Sequence, residues 1–523
     1  MARKTKAAAD QATPQKAPRR RLYEGARISR LTSDWVTSST SADAEINGSL
    51  VLLRNRSRQL VRDNDYARQA IRLIRNNVVG AGVRLQAQVP MSRGSGRLNQ
   101  QVNDRIEEAW AAWCRPQRCH TAGRLGWTEI LRLAIGAVAE SGEVFIRLVR
   151  QPFGDSKVPL ALEVIEADLC DETYDMRPMA GREWRLGVEV DEWGRPTRYA
   201  FRTRHPGDLR HSGSTQVRLV DAADILHLAI LDRPGQTRGV PWLASSIKRL
   251  HHLAGYEEAE VVRARASSSL MGFITSPEGE LVGDDVMDGE RVSSFEPGVF
   301  KYLAPGENVS VPQLDAPDGQ FEPFMRAMLQ GMSAGIGISY APLSQDYSQS
   351  NYSSSRLSLI DDRENWKVLQ NFLIEQLITP VYEAWLTAAV SVGELQLAGY
   401  EAAPERFTKA RWMCRGWSWV DPVKEVMAYK DAVRSGFTTQ AQVVAETGGD
   451  LEELLLARQL EVDRAAELGL SFDTDPGQDA DAQKLKMLDE PTGSLGSQQD
   501  AVDSSDDTET GDQPPESTGS GTP

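Results

Sequence analysis

The segment from Arg356 to about Val392 constrains this chain most. Its apolar spacing predicts a single helix, which at about 1.5 Å per residue would run roughly 55 Å. Pro380 predicts a kink in it, because proline lacks the amide donor and its ring crowds the preceding turn. The most apolar part, Ile374 to Val390, carries Glu375 and Glu383 as well as Pro380, so it does not read as a membrane span. What surrounds this helix sets the fold class. Apolar residues at three- and four-residue steps predict a helix over 42–80, closed by Gly80, with a run of arginines beside them. A strand over 83–89 follows, then helices over 98–113 and 128–141 and a strand from Glu143 to Arg150. From 158 to 232 the chain is strand-rich, with a hairpin turning at Asp191 to Arg195. Pro241 opens a helix over about 242–269. A short strand in Leu270 to Thr275, a Gly/Asp-rich stretch and two strands around Pro305-Gly306 come next. Residues 321–338 are helical and rich in small side chains, 341–355 form a polar loop, and the long helix follows. After 418 an amphipathic helical region reaches about 468, broken near Thr447 to Gly449. Strands and helices do not alternate as βαβ units, so the class is α+β rather than a doubly wound sheet.

Charge divides the chain. The 523 residues carry a formal net charge of −15. Residues 1–30 contribute +7, including Arg19-Arg20-Arg21, and residues 471–523 contribute −11. Both ends are poor in apolar residues and predict solvated, disordered tails. The overall sign argues against a protein that grips nucleic acid through a uniformly basic surface. Four Cys rule out a disulfide scaffold. No apolar run follows the basic arm as it would in a secretory signal, and a reducing cytoplasm is the expected place of synthesis.

Catalytic motifs are scarce. The dipeptide Gly-Lys does not occur, which excludes a P-loop. Gly80-Ala81-Gly82 lacks the third glycine of a dinucleotide loop. Gly331-Met332-Ser333-Ala334-Gly335 matches a nucleophile elbow, but a helical segment precedes it and all six His (120, 205, 211, 227, 251 and 252) come before Ser333. Cys114, Cys119 and His120 offer three ligands without a fourth, so no metal site is expected. Asp361-Asp362 and Asp284-Asp285, expected on solvated surfaces, are the only support for a metal-dependent nuclease. No catalytic residue, cofactor or enzyme activity is expected.

Several blocks, in order, resemble the lambda-type portal proteins of tailed bacteriophages (the HK97-like portal fold). They are Arg20 to Ala26 with Trp35, Leu60 to Ala67 continuing through Asn77 to Gly80, and Gly235-Gln236-Thr237-Arg238-Gly239. Leu303 to Glu307, Gly335 to Tyr340, Leu343-Ser344 and Asn351 to Ser354 complete the series, collinear over about residues 20–440. The resemblance implies a twelve-subunit ring around a central channel at one capsid vertex. It would dock the terminase large subunit, meet the major capsid and scaffold proteins and a head-tail adaptor, and pass double-stranded DNA without sequence specificity during packaging and ejection. It implies a virion protein assembled in the host cytoplasm, with no membrane partner. On this chain, 1–41 would be the basic arm, 42–240 the wing, 241–269 the first stem helix and 270–320 the clip. The second stem helix would be 321–340, the tunnel loop 341–355, the long kinked helix and wing return 356–417, the helical crown 418–470 and the acidic tail 471–523. Channel-facing residues would be Ser344, Gln345, Tyr347, Gln349, Asn351 and Tyr352. Gly331, Ala334, Gly335 and Gly337 would let stem helices of neighbouring subunits approach. The loop 341–355 has no Lys or Arg, which suits contact with phosphate without tight binding. Another phage head-assembly or minor capsid component is the alternative.

Overall fold

A computed structural model describes residues 26, 29–30, 32–92, 98–176, 181–208, 216–268, 273–275, 286–287, 290–291, 308–310, 321–349, 351–417, 422–446 and 449–470. The region expected as one helix over 42–80 is three: α1 (Ala42–Asn47), α2 (Leu50–Asp63) and α3 (Asp65–Val78). The first break falls at Gly48-Ser49. At the second, Asn64 leaves helical geometry (φ −117°, ψ 127°) and its side chain accepts the amide of Ala67, capping α3. Periodicity alone runs through such a cap because the apolar face is nearly continuous. Gly80 ends the segment at φ +60°, as its place in the sequence predicts.

Strand β1 (Arg84–Ala87) and helices α4 (Gln100–Trp113), α5 (Pro116–Cys119) and α6 (Trp127–Ser141) follow. Then come β2 (Glu143–Val149), β3 (Ala161–Ile165), β4 (Glu183–Arg185), β5 (Val188–Val190), β6 (Pro196–Arg202), β7 (Val217–Asp221) and β8 (Ile225–Ala229). They form two antiparallel sheets, ordered β3-β2-β8 and β4-β5-β6-β7. The expected β5–β6 hairpin is present. Strands β4 and β7 escape a sequence reading because they are short and hold one buried residue between them, Val220. The chain enters the next helix through a 3-10 turn, Trp242–Ser245, before α7 (Ile247–Ser268).

In 270–320 the described strands are β9 (Phe273–Thr275), β10 (Val286–Met287), β11 (Glu290–Arg291) and β12 (Asn308–Ser310), with β9 paired to β12 and β10 to β11. The strand expected before Pro305, and Asp284-Asp285, lie outside the described residues, as do most of residues 1–30 and all of 471–523. Helix α8 (Phe321–Ile336), short α9 (Tyr340–Ser344) and α10 (Tyr352–Leu373) come next. Helix α10 passes through a π-helical turn, Ile374–Ile378, into α11 (Thr379–Ser391). The wide turn stands where a kink was expected: the amide of Thr379 donates to Ile374 five residues back, just before Pro380 interrupts the ladder. Strand β13 (Ala410–Met413) returns to pair antiparallel with β1, so the end of the long helical rod is tied to the first half of the chain.

The principal core gathers around an aromatic knot. Trp110 lies 5.1 Å from Trp113, 5.5 Å from Trp127, 5.6 Å from Tyr382 and 5.0 Å from Trp385, ring centre to ring centre. Helices α4, α6 and α11 meet there, each contributing wide apolar area. Trp113 also donates its indole N–H to the Leu160 carbonyl at 2.9 Å. A smaller core between the sheets holds Phe145, Ile165, Val188, Tyr199 and Phe201. Helices α12 (Pro422–Arg434) and α13 (Gln440–Glu446) end the first compact unit at Asp450. Helix α14 (Leu451–Glu467) belongs to a second unit. Its Leu454, Leu455, Leu456 and Leu460 are exposed. No described helix is long and apolar enough to cross a membrane.

Candidate channel loop and stem seam

Helix α8 stops because Gly337 turns to φ +76°, and its amide closes on the Ser333 carbonyl at 2.8 Å. The polar segment after it is shorter as a loop than 341–355. Residues 340–344 form α9, and Tyr352 already begins α10, so the described non-helical residues are 345–349 and 351. Ser344 therefore sits on α9, where its hydroxyl donates to the Tyr340 carbonyl at 2.8 Å. Gln345 takes a left-handed conformation (φ 59°) and donates its side-chain amide to Pro342. Asn351 caps α10 by accepting the Ser354 amide at 2.8 Å. Of the expected channel-facing residues, Tyr347 and Gln349 remain exposed in the loop without a described side-chain partner.

A carboxylate organises the root of this loop. Asp346 accepts the Ser348 hydroxyl at 2.6 Å and amide at 3.0 Å, the Tyr340 phenol at 2.8 Å, and Arg326 of α8 at 3.3 Å. The Ser348 and Tyr340 donors, with Arg326 beside them, hold the Asp346 carboxyl well below the ordinary carboxylate range. Behind it, Gln69 of α3 is buried and donates to the Pro342 carbonyl at 3.0 Å. Asp362 of α10 accepts the Ser339 amide at 3.0 Å. Asp362 is thus buried, not on the solvated surface expected of it, and burial raises its pKa. It is a structural acceptor, and its neighbour Asp361 is exposed.

Two of the small residues of α8 make close approaches within the chain. A Cβ at Gly331 would collide with the Arg249 guanidinium of α7, and one at Gly335 would press on the Ser245 and Ser246 hydroxyls at 3.1 and 3.0 Å. Gly331 and Gly335 therefore let α8 lie close to the start of α7. Gly337 serves the helix stop, and Ala334 is exposed. Ser333 is buried, and its hydroxyl has no hydrogen-bond partner among the described residues. Cys119 donates to the Cys114 carbonyl, and His120 Nδ1 accepts the Arg124 and Leu125 amides at 3.3 Å each. Burial pushes the Cys119 thiol up to about 12, so that turn is held by hydrogen bonds with the sulfur protonated.

Sequence reasoning missed the most heavily bonded polar group. Glu143, first residue of β2, is fully buried. Arg238 reaches it through Nε at 2.8 Å and Nη2 at 2.6 Å, Arg54 of α2 at 3.1 Å, His227 of β8 at 3.0 Å and the Gly239 amide at 3.0 Å. Arg238 also donates to the carbonyls of Leu186 at 2.6 Å and Ala167 at 3.1 Å. Burial alone would raise the Glu143 pKa, but Arg238 and His227 drive it well below the ordinary range. Leu186, at φ 48°, aims its carbonyl at Arg238 from an otherwise unfavourable backbone. The signal available was the turn Gly235 to Gly239 beside Gly142-Glu143; nothing in linear order says that the two meet. Nearby, ligand atoms of Glu166, Asp168 and His205 lie within 4.8 Å of one another. The Arg58 guanidinium is already there, 2.9 Å from Glu166 and 2.5 Å from Asp168, and supplies the positive charge a cation would bring.

The model of the phage portal protein, lambda family, matches residues 28–370. The chain is 29% identical over 460 residues to a probable portal protein of Halomonas phage phiHAP-1, covering 86% of this chain and 88% of that one. It is 22% identical to portal protein B of Escherichia phage lambda, covering 80% and 85%. Among solved structures it aligns, at TM-score 0.41 and 13% identity, with 75% of its length on 93% of a chain from the neck of a native GTA particle. Portal proteins are structural components of the virion that serve genome packaging, not catalysts. With more than half of its residues matched by the family model, this chain belongs to the lambda family of phage portal proteins.

Proposed function

We propose that this chain forms a twelve-subunit ring at the unique capsid vertex, the conduit through which double-stranded DNA enters and leaves. In this reading 42–240 and the return 356–417 are the wing, 241–269 and 321–340 the stem, 270–320 the clip and 418–470 the crown. The ring docks the terminase large subunit during packaging, is built in among major capsid and scaffold proteins, and later receives the head-tail adaptor. Residues 341–355 face the DNA, with Gln345, Tyr347 and Gln349 nearest to it.

One observation carries the reading within the family: the loop has no Lys or Arg, and its root is fixed by an ionised Asp346 latched to α8. A fixed cation on phosphate releases counterions and tightens binding, which would resist sliding; neutral amides and hydroxyls exchange partners readily. The stem seam of α7 and α8, with Gly331 and Gly335 at the close approach, supplies a stiff support for that loop. Native mass measurement and negative-stain imaging of the purified full chain test the assembly. Rings of about twelve copies are expected, and a protein that stays monomeric under every assembly condition overturns the proposal.

A further inference from the structure

A cavity of about 490 Å³ lies between α10, β13 and the α12–α13 region. Its cations come from two elements: Lys367 from α10, and Arg411 and Arg415 from the β13 segment. Lys367 lies about 24 Å along the helix from the loop end at Asn351, so the cavity is separate from the channel loop. Among the described residues no carboxylate lies in ion-pair range of Arg411 or Arg415. Arg411 reaches only the Ala441 carbonyl, at 3.5 Å, and Arg415 donates to the Asn76 carbonyl. The one acid in the lining, Glu446, accepts the Tyr429 phenol at 2.7 Å. Lys367 meets Glu364 outside the cavity at 2.7 Å, with both side chains more than half exposed, an exposed pair that is weak.

Aromatic residues complete the wall. Trp412 and Trp417 line it, and Phe437, 87% exposed, stands at its edge. Trp417 also carries the Arg363 guanidinium 6.0 Å from its ring centre. Three cations and one acid in the lining of one cavity, beside aromatic side chains, is the chemistry that receives a phosphodiester with its sugar or base against a ring. Arg415 is pushed below its ordinary value, first by burial and then by the Arg363 guanidinium, which lies outside the lining.

We propose that the cavity of Lys367, Arg411 and Arg415 is a phosphate site for nucleic acid, a second DNA contact away from the channel loop. It rests on the reading of this chain as a DNA conduit, but the contact is of the opposite kind: it holds where the loop lets slip. A DNA segment lying against this face is anchored through its backbone and not through its sequence.

The test is duplex binding by the purified full chain. The probe is a fluorescein-labelled 24-base-pair duplex titrated across a range of KCl concentrations. Lys367→Gln with Arg411→Gln should weaken binding several-fold at low salt and lower the log–log salt slope by about two, one for each cation removed. Arg415 is left intact because it also holds the Asn76 carbonyl, and circular dichroism checks that the double variant folds. An unchanged slope in a folded variant overturns the inference. So does displacement of the duplex from the wild-type protein by polyglutamate of equal charge, which would make the cavity a site for acidic peptide. Negative-stain images of the same samples separate the two proposals. Rings with an unchanged slope sink the cavity and keep the conduit; a lowered slope in protein that never forms rings does the reverse.

Discussion

Two buried carboxylates, Glu143 in the sheet region and Asp362 on α10 beside the start of α9, show how surroundings decide what one functional group is worth. Glu143 is fully buried, with three side-chain cations or donors and an amide directed at it, and its pKa falls well below the ordinary range. Asp362 is 5% exposed and has the Ser339 amide as its described donor, with Asp361 beside it, and its pKa rises. Burial pushes both upward; only at Glu143 do the neighbouring charges outweigh it. The first is a clamp joining α2, β2, β8 and the turn before α7. The second costs the fold something at neutral pH and serves mainly to place the start of α9.

Removing a cation from Glu143 should produce the largest effect. Arg238→Ala leaves a buried carboxylate short of its main partner and should cost about 3–5 kcal/mol, read as a shift of the urea midpoint. A loss below about 1 kcal/mol would mean that the cluster is not a clamp. Gly142→Ala attacks the same junction through the backbone. Gly142 has φ +92°, and a Cβ there would lie 2.6 Å from the Gly239 carbonyl oxygen, so a cost of about 1–3 kcal/mol or more is expected.

Asp362→Asn should go the other way. The asparagine oxygen still accepts the Ser339 amide and no charge is buried, so a small gain in stability is expected at pH 7. The sign with pH is definite. A carboxyl whose folded pKa is raised contributes stability at low pH that is lost as pH rises through that value. Variant and wild type should therefore converge in acid and separate above the raised pKa. Glu143 behaves oppositely: its contribution is present above the ordinary carboxylate range and is lost only as pH falls well below it. A stability curve for Asp362→Asn that parallels wild type across pH 3–8 would remove the contrast between the two sites.

The smallest thermodynamic change is expected at the loop itself. Gln345→Lys with Gln349→Lys should leave stability within about 0.5 kcal/mol, as exposed substitutions usually do, and leave rings intact, while slowing DNA packaging. Unchanged packaging would argue that the loop does not face DNA. Asn351 is omitted from this pair because it caps α10, and losing the cap would cost about 0.5–2 kcal/mol and blur the result.

The sequence carried the element order, most helix and strand positions and the family, because these rest on local periodicity, turn residues and blocks read in line. The segment 341–355 was legible as polar and free of cations, and the small residues of α8 stood out. Partnership was not legible. The arginines beside α2 look alike in sequence, yet Arg54 is fully buried on Glu143 and Asp168, while Arg62 pairs with adjacent Asp63 at the surface. Asp361 and Asp362 are chemical twins until α10 turns one of them toward Ser339. Gly331 reads as a seam residue, but only packing shows Arg249 of the same chain close against it. Local sequence fixes which conformations a segment favours. Which charge meets which, and at what burial, depends on contacts tens to hundreds of residues apart, and that was decided only by the tertiary structure.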